Sequence, residues 1–372
     1  MRFFIDFRHN NSLRWNIMDT YIVLKFIGSV FYSIALLMTI VVVFDISEKI
    51  HKFIENDIPL NVIIFQYYFN FIPYFVNLFF PLFTFISVIF FTSKLSGNNE
   101  IISFFNGGIS FYRFLVPYLA GAAILSILSL FMANIFIPYT NHKMYMFTAN
   151  YMQKKILTSS DIRFKADDST YVYVRRWRDK ISEGENFTLE NIAQNRMKKK
   201  LCAELIRYND TTKSWHLEQY IKRSFTEDDN EVIQIGASLD TNFSFNADDF
   251  NDDETIMETM SYIQLRHFIE KEKKKGSSLV KIYEIEKHKR IANPLSIFIM
   301  TLLGVSVAAR KSRRGIGVHI FIGLFFVFMF IFFQQVSTVF AISEQLSPAM
   351  ATWLPNLVYL GICIILLRNT PK

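Results

Sequence analysis

The chain has 372 residues and a formal net charge of +7, with 51% apolar residues and 40 phenylalanines. The apolar residues collect in blocks of about 20, long enough at 1.5 Å per residue to cross a hydrocarbon core of roughly 30 Å. This excludes an ordinary cytosolic enzyme and a disordered chain, and two cysteines exclude a disulfide scaffold or a Cys-rich metal module.

Six spans are predicted in chain order, at residues 22–44, 63–91, 114–137, 292–309, 316–340 and 351–367. The basic start of the chain and the apolar run after it are tested as a cleavable signal; the run is too long and lacks an A-x-A-like site, so it reads as a retained anchor. The second block is long for one helix and holds Pro73 and Pro81, so it is either kinked or tilted, or its first part lies in the interface. The fourth is short and is expected to begin at Pro294, where a missing N–H matters least.

Basic residues alternate between connections. Arg2, Arg8, Arg14 and Lys25 flank the first span, Lys94 and Arg113 the second connection, and Arg310, Lys311, Arg313 and Arg314 the link between spans four and five. The positive-inside rule then puts both termini, residues 92–113 and the Arg310–Arg314 loop in the cytoplasm, and the long interval 139–290 outside.

That interval reads as an inserted β-domain. Residues 169–176, 201–208, 214–221 and 232–237 are short runs rich in β-branched and aromatic residues. Turn clusters such as Asn209-Asp210 and Asp228-Asp229-Asn230 separate them, which suggests a sandwich or jelly roll. Helical segments at 261–275 and 279–290 lead back to the membrane. The predicted fold class is therefore membrane α-helical, three helices plus three, with an inserted extracytoplasmic β-jellyroll at about 160–246.

No catalytic constellation stands out. The chain has no G-x-x-x-x-G-K-[ST] phosphate loop, so it is not expected to hydrolyse ATP. Its histidines lack metal-site spacing, Cys202 and Cys363 read as packed apolar residues, and the lysine runs 198–200 and 273–275 read as solvated faces rather than nucleic-acid contacts. Three features carry functional weight. An inside segment from Gly97 to Arg113 has an amphipathic middle. Asn98 or Asn99 can cap it, Glu100 suits its positive end, and Gly107-Gly108 can stop it; the alternative is a plain connector. Lys49 and Lys52 lie on one helical face at the outer end of span one, where cations either snorkel to headgroups or attract the phosphates of an amphiphile. The central parts of the spans carry no Asp, Glu, Lys or Arg, which argues against ion-coupled transport and for an apolar cargo with an external energy source.

Taken in order, these pieces resemble the LptF/LptG (YjgP/YjgQ) permease family of the lipopolysaccharide export ABC transporter. The resemblance rests on Phe44-Asp45 through Lys49, Pro81-Leu82, Lys94 through Glu100, Gly107-Gly108 through Arg113, Arg163 through Arg175, Trp215, His288 through Leu295, Arg313 through Gly315, and Trp353 through Asn356. The span-one ending and the inside loop lean to the LptG side. Asn99 and Asn106 depart from the family's usual coupling segment.

By resemblance, Asn99, Glu100, Phe104, Gly107, Gly108 and Arg113 form the coupling site for an LptB-like ATPase dimer, which binds the ATP and magnesium; this chain itself carries no cofactor. Lys49 and Lys52 would mark a lipid entrance, with spans one and five lining a lateral opening for lipopolysaccharide. A second permease chain of the family and LptC-like and LptA-like jellyrolls would be partners in the bacterial inner membrane. The alternatives are a sensor or scaffold with a ligand-binding β-domain, or the same machine carrying another glycolipid.

Overall fold

A computed structural model describes residues 15–152, 158–178, 181–193, 196–225, 231–250, 254–277, 279–309 and 316–368. Arg2, Arg8, Arg14, the turn Asp228–Asn230, the Arg310–Arg314 loop with Gly315, and Lys372 lie outside these residues. The chain divides into a membrane unit, residues 1–144 with 285–372, and an inserted unit, residues 145–284.

Among the described residues of the whole chain, six helices are long and apolar enough to cross a membrane. Helix α1 runs over Ile17–Glu55. The second span is interrupted: a turn α2 (Leu60–Val62) passes into a π-helix at Ile63–Tyr68, then α3 (Phe69–Leu78), then α4 (Phe80–Gly97). The break falls at Phe79, with Pro81 in the first turn of α4, so the long apolar block is two helices. A short helix α5 (Glu100–Asn106) precedes α6 (Phe111–Phe131), which continues through a π segment (Met132–Phe136) into α7 (Ile137–Phe147).

The inserted unit holds strands β1 (Thr158–Asp167), β2 (Thr170–Arg178), β3 (Glu183–Ala193), β4 (Arg196–Asn209), β5 (Ser214–Phe225) and β6 (Glu231–Thr241), then α8 (Tyr262–Lys275). Helices α9 (Val280–Ala308), α10 (Ile316–Ile342) and α11 (Pro348–Arg368) complete the chain.

Pro294, expected at the first turn of the fourth span, lies instead inside α9, which joins the segment expected at 279–290 to the span in one helix. Polar side chains gather around this proline. Ser126 Oγ donates to its carbonyl at 2.9 Å, Ser296 Oγ to the Asn293 carbonyl at 2.6 Å, and Asn356 Nδ2 to the Ala292 carbonyl at 3.4 Å. The contacts of Ser126 and Asn356 tie α9 to α6 and to the last span beside the proline.

Apolar burial does not drive one helix onto another inside lipid, so close packing and interhelical hydrogen bonds must hold the unit together. Helix α4 is the most enclosed span, and both α1 and α10 pack on it. Ser87 Oγ of α4 donates to Ser33 Oγ of α1 at 2.9 Å, and Thr92 pairs with Tyr118 of α6 at 2.9 Å. Gly121 lets α6 meet α1: a Cβ there would stand 2.6 Å from the ring of fully buried Phe26.

The six strands form one antiparallel sheet in sequence order. Its buried face carries Val172, Val174, Trp177, Phe187 and Trp215, closed over by Phe245 and Phe250, with Phe250 stacked on Trp177 at 4.5 Å between centroids. A crease crosses the whole sheet. Asp161, Asn186 and Gln219, on alternate strands β1, β3 and β5, all have positive φ (58°, 53° and 50°), and they and the residues facing them drop out of the strand registers. The pairing offset is the same on both sides of the line, so no strand gains a residue on its neighbour; the strands reverse their in-out alternation together there. In β2 the buried positions accordingly pass from Val172 and Val174 to Trp177.

Asp249 fastens the turn beyond β6 to α8, by ion pairs to Lys275 and, at 3.7 Å, to Lys271. Burial alone would raise its carboxyl pKa. The hydrogen bonds from Lys275 and the Asn246 backbone and the charges of Lys275 and Lys271 outweigh it and hold the group below its ordinary value.

Two outcomes follow for the inserted unit. Valine at 186 is expected to destabilise it by about 1–2 kcal/mol, since a β-branched residue tolerates left-handed backbone poorly, whereas Asn186→Gly should be near neutral; the melting temperature of the unit reads both. A carboxylate whose folded pKa is depressed stabilises above its unfolded value and loses that contribution as pH falls through the folded one. Asp249→Asn should therefore melt lower than wild type near pH ~7, and the gap should close on acidification towards pH ~3.

Candidate functional site

The inside segment is built from residues 97–113. Helix α5 packs one face inward: Ile101 is buried, and Phe104 and Phe105 pack on Phe114, with ring centroids 6.2 and 5.9 Å away. Its other face, with Ile102, Ser103 and Asn106, is exposed, as are Gly107 and Gly108 beyond it. Asn99 takes the N-cap position in left-handed backbone (φ 63°) and makes no side-chain capping bond, contrary to the expected cap; Asn98 Nδ2 instead donates to Glu100 Oε1 at 3.1 Å. Gly108, at φ 83°, stops the helix as expected of a glycine there.

Two contacts tie this segment to α1. Tyr21 Oη donates to Glu100 Oε2 at 3.4 Å. Arg113, at the start of α6, grips Asp19 with two guanidinium nitrogens at 2.6 and 2.5 Å, and Asp19 is fully buried. The side chain of Asp19 also accepts from the Asn16 backbone N–H at 2.8 Å, so this carboxylate caps α1 and pairs with the cation at once. Of the six residues expected to meet an ATPase, Phe104 and Arg113 thus spend their contacts within the membrane unit. Asn99, Glu100, Gly107 and Gly108 lie at or beside the exposed face.

The far end of α1 carries a second cluster. Lys49 pairs with Asp45 one turn earlier at 2.5 Å, hydrogen-bonds the Tyr67 hydroxyl, and lies over the rings of Tyr67 and Phe71. Tyr67 and Tyr68 both donate to the Asp45 carboxylate, at 3.3 and 3.1 Å. Consecutive residues reach one carboxylate here because they end the π-helix, whose wider turn keeps neighbours closer in angle than an α-helix does. Lys49 therefore faces inward, while Lys52 is exposed.

Sequence reasoning missed Asp19, Tyr21, Asp45, Tyr67 and Tyr68. The acid-to-base spacing from Asp45 to Lys49 was a usable signal; the pairing of Asp19 with Arg113 across 94 positions left none.

Between the ends of α1 lies an apolar groove of about 260 Å³, walled by Tyr32, Leu36 and Leu37 of α1, Ile86, Ile89 and Phe90 of α4, and Ile320, Gly323 and Leu324 of α10. Its lining is almost free of polar atoms, so it suits hydrocarbon rather than a polar solute.

Removing one partner of the buried pair strands the other charge. Asp19→Asn or Arg113→Gln is expected to cost about 3–5 kcal/mol, and the double variant less than the sum of the two, as read by thermal melting of the detergent-solubilised chain.

No curated protein matches the chain. The family model described as "Lipopolysaccharide export system permease LptF/LptG" matches residues 20–369, a stretch that takes in α1 from Thr20 onward, the other five apolar helices, the inserted sheet and the α5 segment. The chain belongs to the LptF/LptG family of lipopolysaccharide export permeases, multi-pass proteins of the inner membrane.

Proposed function

We propose that this chain is one of two paired permease subunits that draw lipopolysaccharide from the outer leaflet of the inner membrane and pass it to a periplasmic bridge. ATP hydrolysis in a separate LptB-like dimer supplies the power. Both termini and α5 lie on the cytoplasmic side in this reading, and the inserted sheet on the periplasmic side, where LptC-like and LptA-like domains receive the lipid.

One observation carries the reading: α5 is a short helix with one face packed inward and the other open, fastened directly to α1. Glu100 stands at its positive N-terminus, where a carboxylate is favoured. The open face of α5 is the docking surface for the ATPase dimer. A push on it reaches α1 through Tyr21–Glu100 and through the Arg113–Asp19 pair at the foot of α6. Helix α1 is one wall of the apolar groove and α10 another, so a displacement of α1 relative to α4 changes the width of the groove. Acyl chains would enter there, and the exposed ammonium of Lys52 would meet the phosphates of the headgroup. The role of the chain is mechanical: it binds cargo and moves, and the bond-breaking chemistry belongs to its partner.

Co-purification in mild detergent tests the coupling. Wild-type chain should retain an LptB-like subunit and the second permease, and Glu100→Arg should lose the ATPase while keeping the second permease. Unchanged ATPase retention and export in Glu100→Arg would refute the docking role. Cysteine accessibility supplies the second check, because positions 107 and 175, both exposed, must label from opposite faces of the membrane.

A further inference from the structure

The sheet of the inserted unit carries an apolar trough that a segment of the same chain fills. Phe164, Val174, Trp177, Phe187 and Trp215 come from four strands and form one buried surface. Left bare, a surface of this kind would face water, which disfavours it. Residues 242–250, directly after β6, lie across it. Phe243, Phe245 and Phe250 turn towards the sheet, while Asn242, Ser244 and Asn246 are exposed. The ring of Phe245 is centred 5.3 Å from Trp215, and that of Phe243 5.8 Å from Phe187.

The segment is laid on the sheet rather than woven into it. Its first residues alternate in and out as a strand does, yet among the described residues it pairs with no strand. Among those residues one hydrogen bond ties its backbone to the sheet, from Trp215 Nε1 to the Phe245 carbonyl at 3.1 Å. Its far end is held by charge. The Asp249 carboxylate is ion-paired to Lys275 and, at 3.7 Å, to Lys271, and the Lys275 ammonium also lies 6.0 Å from the centre of the Phe164 ring. Beneath the segment, Trp177 is fully buried and stacked on Phe250, and its indole N–H has no partner among the described residues. A buried donor without an acceptor is a cost of the closed arrangement, which lifting the segment relieves.

We propose that residues 242–250 are a strap that keeps the trough shut while it is unloaded, latched by Asp249 on α8, and that hydrocarbon of the exported lipid displaces its phenylalanines when the latch opens. The inference rests on the export reading above. Aromatic rings are exchanged for an acyl chain, so the sheet is never bare. The latch consists of side-chain ion pairs rather than a strand ladder, so it opens without disturbing the pairing of the six strands.

Two measurements on the full-length chain test the strap. With Trp15→Phe and Trp353→Phe, the two tryptophans that remain, at 177 and 215, both report on the trough. A bromoalkyl maltoside, whose chain quenches tryptophan on contact, should quench them weakly while Asp249 is present. Asp249→Asn should raise the quenching constant about threefold, the weight of one partly buried ion pair. In a chain with Cys202→Ser and Cys363→Ser, Asp249→Cys and Lys275→Cys are then bridged by a reducible bismaleimide. The bridge should abolish quenching and, in the reconstituted transporter, stop lipid export; reduction should restore both. Should Asp249→Asn fail to fold, the bridged pair decides. Equal quenching with and without Asp249, or export that continues with the bridge in place, overturns the strap. Quenching needs no ATP, so a failure of the coupling scheme at Glu100 is told apart from a failure of the strap.

Discussion

A carboxylate buried without water must find a cation, and in this protein that requirement sets the position of α1. Asp19 is fully buried at the foot of the helix and held by two nitrogens of Arg113; Asp45, near the other end, is surrounded by Lys49, Tyr67 and Tyr68. The helix is therefore pinned at two points by directional contacts. Between them it presents large apolar residues, Phe31, Tyr32, Leu36 and Ile40 among them, that the unit itself leaves open. Its other face packs on α4 and α6 through Phe26, Val30, Ile34 and the Ser33–Ser87 hydrogen bond, so the helix is a wall of the groove on one side and part of the core on the other. The charged contacts lie towards the ends of the helix, and residues 26–44 between them carry no charge.

The remainder of the membrane unit is arranged around α4. Its neighbours pack on its large buried side chains, Phe83, Phe85, Val88 and Ile89 among them, and small residues and hydroxyl contacts let them come close. The break at Phe79 and the proline within α9 show the same economy: irregular backbone is tolerated where polar side chains or close packing cover it. The apolar groove lies beside α4, between α1 and α10, so the helix that organises the unit also borders its empty space.

Much of this architecture could be read from the chain. Uncharged apolar blocks gave the six spans, and period-two alternation located strands in the inserted unit, because both signals are local. The amphipathic stretch around Glu100 was legible for the same reason: its inward and outward faces repeat within a few residues. What escaped was long-range or irregular. The pairing of Arg113 with Asp19, 94 positions apart, leaves no local mark. The π-helix that turns Tyr67 and Tyr68 onto Asp45 has no compositional mark. The strand pattern was harder to follow where alternation reversed; the doublet Arg175-Arg176 between Val174 and Trp177 is the trace that the reversal leaves in the sequence.

That reversal has a consequence at the rim of the sheet. Asp161, Asn186 and Gln219 stand in line, and β6 continues the line where its pairing with β5 skips the position between Gly236 and Ser238. A straight ribbon laid along β6 would match its amides on one side of this fold and miss them on the other. Whatever chain extends the sheet there must bring a kink of its own at the matching place, so the corrugation acts as a key that admits bent neighbours and turns flat ones away.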